Sequence, residues 1–248
     1  MVSLMSRIKT GIPGFDALIE GGLPQSQNIL LAGPPGTGKT IFGLQYLYNG
    51  AKGGENGLYI SFESSASMLK TQARQFGWDF AELEKDGKVS FLNVPLDRMS
   101  LNPFELMEQE AIRIGAQRAV FDSLTTFIVN IEQFAIPTIN PAGARLSSGR
   151  RSKGRIAYLV IRQMARMGTT NIIISDAKDD GGNFRTLDGI SEFACDGVVV
   201  LRNELIGVKH ARTLSIMKMR ETNHSQYIHD CDFSEEGFIV KPIEKVYE

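Results

Sequence analysis

The residues with the clearest chemistry lie at positions 33–40, which read GPPGTGKT. This run fits the pattern G-x-x-x-x-G-K-[ST], follows the apolar run NILLA and precedes a predicted helix. Gly36 and Gly38 would let backbone amides close around phosphate oxygens. Lys39 would face the β and γ phosphates and Thr40 would offer its hydroxyl to magnesium, whereas an incidental glycine-rich turn would need neither residue. The predicted nucleotide-binding residues are Gly33, Pro34, Pro35, Gly36, Thr37, Gly38, Lys39 and Thr40.

Two acidic residues complete the predicted catalytic set, and each comes at the end of a strand candidate. Asp122 ends the run AVFD, where the acid of a P-loop enzyme holds magnesium through its water ligands. Glu63 directly follows LYISF and is the best candidate for orienting an attacking water. Either acid could instead be an ordinary residue of a turn or strand end. We predict Thr40 and Asp122 as magnesium residues and Glu63 and Lys39 as catalytic residues.

The segment IIISDAKDD bears on the choice of base. It resembles the strand followed by NKxD with which GTPases select guanine, but Ala177 stands at the asparagine position and has no amide to bind the base. Solvated turn charges are the better interpretation. ATP with magnesium is therefore the predicted ligand.

The elements that position these residues follow from the hydrophobic pattern. Strand candidates are Asn28–Ala32, Gly57–Phe62, Val89–Val94, Ala119–Asp122 and Asn171–Ser175. Helical stretches between them are Thr40–Ala51, Ser65–Phe76 and Pro103–Ala116. Near-continuous apolar strands separated by helices indicate a mainly parallel sheet with helices on both faces.

The pattern changes after Gly197, where strand candidates follow one another with only polar turns between them. These candidates are GVVVLRNEL, RTLSIMKMR, SQYIHDCDF and GFIVKP. They predict an antiparallel C-terminal extension of the sheet. The expected fold class is therefore α/β. No linker separates the two regions, and the sequence has no internal repeat. The chain is predicted to form a single domain over 1–248, with its core over about 10–240.

Composition sets broad limits on function. The 248 residues are near the upper limit for one hydrophobic core, and 42% apolar with 22% charged residues is typical of soluble globular proteins. A net charge of −1 argues against a protein that coats nucleic acid with its whole surface. Cys195 and Cys231 form no CxxC pair and are expected as free thiols in a reducing compartment. With neither a signal-peptide core nor a membrane-length apolar run, we predict a cytoplasmic protein without a membrane partner.

Five segments, in order along the chain, resemble landmarks of KaiC-like ATPases in the RecA superfamily. They are GIPGFDALIEGGLPQSQNILLAGPPGTGKT, YISFES, VFDSLT, EFACDGVVVL and KMRETNH. The resemblance runs from about Thr10 to Val240, and the ordered set is far more specific than the P-loop alone. It implies a RecA-like P-loop NTPase core, a homohexameric ring, and ATP bound at subunit interfaces. It also implies Glu63 as the catalytic glutamate and Asp122 as the Walker B aspartate.

The segment KMRETNH carries cations that, by the same resemblance, reach the nucleotide of the neighbouring subunit. Lys218, Arg220 and His224 are evenly spaced, so on a predicted strand they would share one face. A row of cations at a sheet edge is also a common way to discourage aggregation. The resemblance instead implies Lys218 and Arg220 as catalytic residues acting in trans, and His224 as a nucleotide-binding residue.

Three departures from the family pattern qualify the resemblance. Ser64 stands where many relatives have a second adjacent glutamate, which predicts slow hydrolysis. Glu221 replaces the glycine that often follows Arg220, which would alter how that strand sits. Glu192 and Phe193 occupy the place of the phosphorylated Ser-Thr pair of the two-domain clock proteins, so a circadian autokinase is a poor interpretation.

A basic segment has no role in this scheme. Between Gln133 and Ser175 there are seven basic residues and no acidic one, and five of the seven fall in GARLSSGRRSKGR. These five are Arg145, Arg150, Arg151, Lys153 and Arg155. The Gly/Ser-rich composition predicts a mobile loop over about 133–155, at the position where RecA relatives place a DNA-binding loop. Single-stranded nucleic acid, a protein partner and no specific ligand all remain open.

Two functional classes follow. The first is a ring-forming ATPase that acts on nucleic acid or regulates proteins bound to it. The second is a slowly hydrolysing, nucleotide-gated assembly protein that recruits protein partners.

Overall fold

The computed structural model describes residues 6–94, 103–134, 153–180, 183–206 and 209–241. The strands within these ranges are β1 Arg7–Ile8, β2 Leu23–Pro24, β3 Asn28–Gly33, β4 Gly57–Ser61, β5 Val89–Asn93, β6 Arg118–Asp122, β7 Thr170–Asp180, β8 Asn183–Thr186, β9 Gly197–Ile206, β10 Lys209–Met219, β11 Ile228–Ser234 and β12 Gly237–Val240. The helices are α1 Lys39–Lys52, α2 Ala66–Arg74, α3 Phe80–Lys85, α4 Pro103–Ile114, α5 Leu124–Phe134, α6 Lys153–Arg166 and α7 Ser191–Ala194, with a short 3₁₀ helix over Asp16–Ile19.

One large sheet organises the described residues, in the order β12-β11-β10-β9-β3-β7-β6-β4-β5. The pairs from β9 to β5 are parallel, and the pairs among β9, β10, β11 and β12 are antiparallel. The α/β class, with a mainly parallel sheet and an antiparallel C-terminal extension, is therefore confirmed. The single-domain boundaries stay a prediction.

Helices cover both faces of the sheet because its central strands are apolar on both sides. Along β3, Ile29 and Leu31 pack into the cluster that contains α1, α2 and α3. Leu30 and Ala32 point the other way, into the cluster that contains α4, α5 and α6. This alternation is the two-residue period of a strand, and burial on both faces explains the nearly continuous apolar run.

Two predicted loops contain regular structure. The charged residues after Ser175 are predicted to lie in a turn, but β7 continues to Asp180 and forms an antiparallel hairpin with β8. Ala177, at the position compared with the guanine-binding motif, is paired with Thr186 in this hairpin and is 7% exposed. Lys153 and Arg155, which were assigned to the basic loop, lie in the first turn of α6. The remainder of that predicted loop, over 135–152, lies outside the described residues.

The structure of the C-terminal strands contradicts one side-chain pattern predicted from the sequence. Strand β10 ends at Met219, and a turn over 220–222 takes the chain away from the sheet before His224. The prediction that Lys218, Arg220 and His224 share one strand face is therefore wrong. Glu221 has a φ of 56°, in the left-handed region where glycine is least strained, which explains the glycine preference at this position.

Cys195 and Cys231 are free and buried, as the sequence predicts. Among the described residues, none of the helices has the length and apolar character needed to cross a membrane.

Candidate functional site

Four parallel strands bring residues together at one end of the sheet, where β3, β4 and β6 stop and β7 continues into its hairpin with β8. Gly33 at the end of β3 is paired with Asp176 of β7, and Ser61 at the end of β4 is paired with Asp122 of β6. A cleft of about 540 Å³ opens at this edge. Its lining includes Lys39, Thr40, Glu63, Asp122 and Asp176. Ligands of open parallel sheets bind outside the carboxyl ends of the strands, which is where this cleft lies.

The loop between β3 and α1 has the conformation that a phosphate cradle requires. Gly36 and Gly38 have φ values of 79° and 101°, a region that other residues rarely adopt. A Cβ at Gly38 would also lie 2.6 Å from the ring of Phe233. Thr37 closes the loop by donating its hydroxyl to the Pro34 carbonyl at 2.9 Å. Since Gly38 is the N-cap of α1 and has no side chain, the first amides of the helix face the cleft without a side-chain cap.

Lys39 lies inside this loop and is only 8% exposed. Its Nζ donates to the carbonyl oxygens of Gly33 at 2.8 Å and Pro34 at 3.0 Å. The same nitrogen is 3.0 Å from Oδ1 of Asp176. The lysine is thus a fixed, desolvated cation at the floor of the loop, and its charge is matched by an aspartate from the adjacent strand.

Asp122 accepts two hydrogen bonds on one oxygen. Thr40 donates its Oγ1 to Oδ2 at 3.0 Å, and the phenol of Tyr59 donates to the same oxygen at 2.5 Å. Burial raises the pKa of Asp122 above its ordinary value, and the two hydrogen bonds partly offset that effect. Burial, together with the nearby Asp122, also raises the pKa of Tyr59 well above its usual range, so the phenol keeps its proton and acts as the donor.

Glu63 lines the cleft and lies two residues after the end of β4 at Ser61. Its position depends on the junction between β6 and α5. Ser123 follows Asp122 and caps α5, since its Oγ accepts from the amide of Thr126 at 3.2 Å. The hydroxyl of Thr126 then donates to the Glu63 carboxylate. Glu63 is therefore held by α5, the helix that begins directly after Asp122 and Ser123.

Sequence reasoning missed three kinds of residue that shape the cleft. Asp176 was treated only as part of the resemblance to a guanine motif, although an acid directly after an apolar strand was the signal that identified Asp122. Tyr59 had no signal, because its bond to Asp122 depends on the pairing of β4 with β6. The polar and aromatic side chains at the far end of the cleft come from α2, the turn after it and β11, and are Gln72, Gln75, Phe76 and Phe233.

The predicted trans-acting cations do not line this cleft and have partners elsewhere. Lys218 donates to the main-chain oxygens of Cys195 at 2.5 Å and Phe193 at 3.1 Å, at the end of α7. The Arg220 guanidinium pairs with Asp196 at 2.9 Å and its side chain is 55% exposed. His224 bonds through Nδ1 to the carbonyl oxygen of Ser225 at 2.9 Å. Lys218 lies in β10, and Arg220 and His224 lie in the segment between β10 and β11.

Of the predicted basic nucleic-acid residues, the structure describes Lys153 and Arg155, and both are exposed. Arg145, Arg150 and Arg151 lie outside the described residues. The exposed side of α6 continues with Arg162, which is 5.9 Å from the ring of the half-exposed Tyr158, and with Arg166.

The phosphate loop after the first central strand, the acid at the end of β6 and the sheet order define a P-loop protein of the RecA-like fold. The family model described as "ATPase: KaiC" matches residues 8–245. The chain therefore belongs to the KaiC family of ATPases.

Individual relatives agree with this assignment. The chain is 34% identical to UPF0273 protein PH0284 of Pyrococcus horikoshii, with 95% of this chain and 94% of the relative covered. It is 28% identical to the circadian clock oscillator protein KaiC of Synechococcus elongatus, with 96% of this chain but 45% of the relative covered. The crystal structure of the KaiC-like protein PH0186 from Pyrococcus horikoshii matches with a TM-score of 0.81 and 33% identity, covering 96% of this chain and all of that one.

Proposed function

We propose that this chain binds ATP with magnesium and hydrolyses it, and that it works as a ring with nucleotide at the subunit interfaces. The observation that carries the proposal is the single cleft that brings together the phosphate loop, Lys39, Thr40, Asp122 and Glu63. Family membership supports the same activity. In this proposal the loop amides and Lys39 bind the β and γ phosphates, at the positively polarised start of α1.

The residues beside Lys39 suit magnesium. Magnesium prefers hard oxygen ligands, and the Thr40 hydroxyl lies 3.0 Å from a carboxylate oxygen of Asp122 at the mouth of the loop. Thr40 would bind the ion directly and Asp122 would hold its water ligands. Held there, magnesium would supply positive charge that offsets the negative charge of the phosphates during transfer. Glu63 would orient the attacking water and accept its proton.

Arg220 provides a test of the ring. In our proposal it leaves Asp196 to meet the γ phosphate held by the next subunit, so nucleotide joins two chains. Arg220→Ala should bind ATP nearly normally but turn it over roughly 100-fold more slowly. The loss is smaller than the 10³ or more of a sole arginine finger because Lys218 remains nearby. Steady-state turnover and nucleotide titration measure the two quantities separately.

Mixed rings supply the control for that prediction. Lys39→Ala chains lack a working phosphate loop but keep Arg220, so mixing them with Arg220→Ala chains should restore part of the activity at composite sites. Sedimentation should show rings that are tighter with ATP than with ADP. Mixed rings no more active than either parent would contradict the trans role, and a monomer in every nucleotide state would exclude the ring.

Single-stranded nucleic acid is the partner we propose for the basic segment, supported by the exposed cations Lys153 and Arg155 at the start of α6. Binding should weaken as salt rises, because each phosphate contact releases condensed counterions. Replacing both residues with alanine should reduce the slope of log affinity against log salt by roughly 1.4 units. Fluorescence anisotropy with labelled single-stranded DNA, with and without ATP, measures this slope.

Arg166→Ala, at the other end of the same helix, is the matched control for the loss of exposed charge. An unchanged slope in the variant with both residues replaced would show that Lys153 and Arg155 do not contact the nucleic acid. Absence of DNA binding by the wild-type protein would instead favour the second proposed class, an assembly protein that hydrolyses slowly and recruits protein partners. Ser64 beside Glu63 supports slow turnover in either class.

A further inference from the structure

The carboxylate of Asp122 has a partner on the neighbouring strand that the proposed function does not use. The phenol of Tyr59 donates to Oδ2 of Asp122 at 2.5 Å, and Tyr59 is 0% exposed. Strands β4 and β6 are paired in parallel, with Tyr59 opposite Val120 and Ser61 opposite Asp122. The phenol therefore reaches from within the core to the acid at the strand end.

The ring of Tyr59 is fixed by packing. It stacks on Phe91 of β5 with 5.6 Å between centroids and 25° between ring planes, in the core cluster that also contains Val120. A buried aromatic ring held in this way has one orientation, so its hydroxyl has a fixed position. The hydrogen bond to Asp122 is thus imposed by the core and not by a mobile surface side chain.

The two donors to Asp122 act on the same oxygen. Thr40 and Tyr59 both donate to Oδ2, which leaves Oδ1 to accept other bonds. We propose that Tyr59 is a positioning residue for magnesium, whose phenol holds Asp122 so that Oδ1 accepts from the water ligands of the ion. This inference rests on the proposed function and deepens it. Thr40 would bind the ion through an oxygen lone pair and keep its proton for Asp122, whereas Tyr59 holds the same carboxylate oxygen from the core whether or not the ion is bound.

A purely structural role for the phenol is the competing explanation, since any buried hydroxyl needs an acceptor. Tyr46 provides a matched control within the same chain. It is also 0% exposed, and its phenol donates to the main-chain oxygen of Thr170 at 3.1 Å. Thr170 begins β7, six residues before Asp176, and neither Thr170 nor Tyr46 lines the cleft.

The test is a magnesium titration of nucleotide binding. Binding of a fluorescent ATP analogue is measured at rising magnesium for the wild type, Tyr59→Phe and Tyr46→Phe. Tyr59→Phe should need roughly tenfold more magnesium for half-maximal binding, because loss of a group that orients a metal's partner typically weakens metal affinity by this factor or more. At saturating magnesium it should bind like the wild type. Tyr46→Phe should follow the wild-type titration, although both variants lose a buried hydrogen bond and some thermal stability.

Three other results would overturn the inference, each for a different reason. Superimposed magnesium titrations for the two variants would show that the phenol of Tyr59 has only a structural role. Weaker binding by Tyr59→Phe at every magnesium concentration, including none with chelator present, would show a general distortion of the cleft. Wild-type binding that does not depend on magnesium would overturn the proposed use of magnesium itself, and the inference with it.

Discussion

Lys39→Ala should abolish stable ATP binding, with a loss of affinity on the order of 10³-fold. The substitution removes the buried cation that the proposed function places against the β and γ phosphates. It also leaves Asp176, which lies 3.0 Å from that cation, as an unpaired negative charge beside the nucleotide. Lost attraction and new repulsion therefore act in the same direction. Titration with a fluorescent ATP analogue measures the effect directly.

Lys52→Ala is the control for this prediction, because Lys52 lies at the exposed end of the same helix α1. It changes the net charge by the same amount at a distance from the phosphate loop, and it should bind ATP normally. Thermal unfolding of both variants separates a local loss of binding from unfolding. Wild-type affinity in a folded Lys39→Ala protein would contradict the assignment of the phosphate loop.

Glu63→Gln should retain ATP and magnesium but lose hydrolysis by a factor on the order of 10³. The amide has nearly the same shape, and its oxygen can still accept the hydroxyl of Thr126. It cannot accept a proton from the attacking water, so only the chemical step is affected. Phosphate release in a single turnover measures that step, and equilibrium titration verifies that nucleotide is still bound.

Glu105→Gln provides the matched control, since Glu105 is an exposed residue of α4 and the same charge is removed. Its turnover should equal that of the wild type. Unchanged turnover in Glu63→Gln would move the catalytic role to another carboxylate of the cleft, and Asp176 would be the next residue to replace. The outcome therefore distinguishes two acids that line the same cleft.

The phosphate loop and the strand-end acids were predictable because their signals are local. A glycine-rich run between an apolar strand and a helix fixes the cradle, and parallel strands carry Glu63 and Asp122 to the same edge. Strand alternation with helices likewise predicts the parallel sheet. These features depend on neighbouring residues in the chain and need no knowledge of distant contacts.

Features that depend on distant pairing were not predictable. The polar stretch after Ser175 looked like a loop, but hydrogen bonds to β8 make it a hairpin. Strand β10 ends at Met219 and is followed by the turn at Glu221, which breaks an even spacing that looked regular in the sequence. Tyr59 reaches Asp122 only because β4 pairs with β6 in one register. Hydrophobic periodicity and secondary-structure propensity describe one segment of the chain at a time, whereas these contacts join two segments that are distant in the sequence.

The ion pair between Lys39 and Asp176 has a consequence for affinity. A phosphate that reaches Lys39 must share the ammonium with a carboxylate of the same chain, or displace it. Binding is then an exchange of anions, and the measured affinity is a difference between two charge-assisted contacts. Every phosphate ligand that reaches Lys39 would meet the same cost, so the internal ion pair would lower the affinity for each of them alike. Removing the carboxylate of Asp176 would therefore tighten phosphate binding.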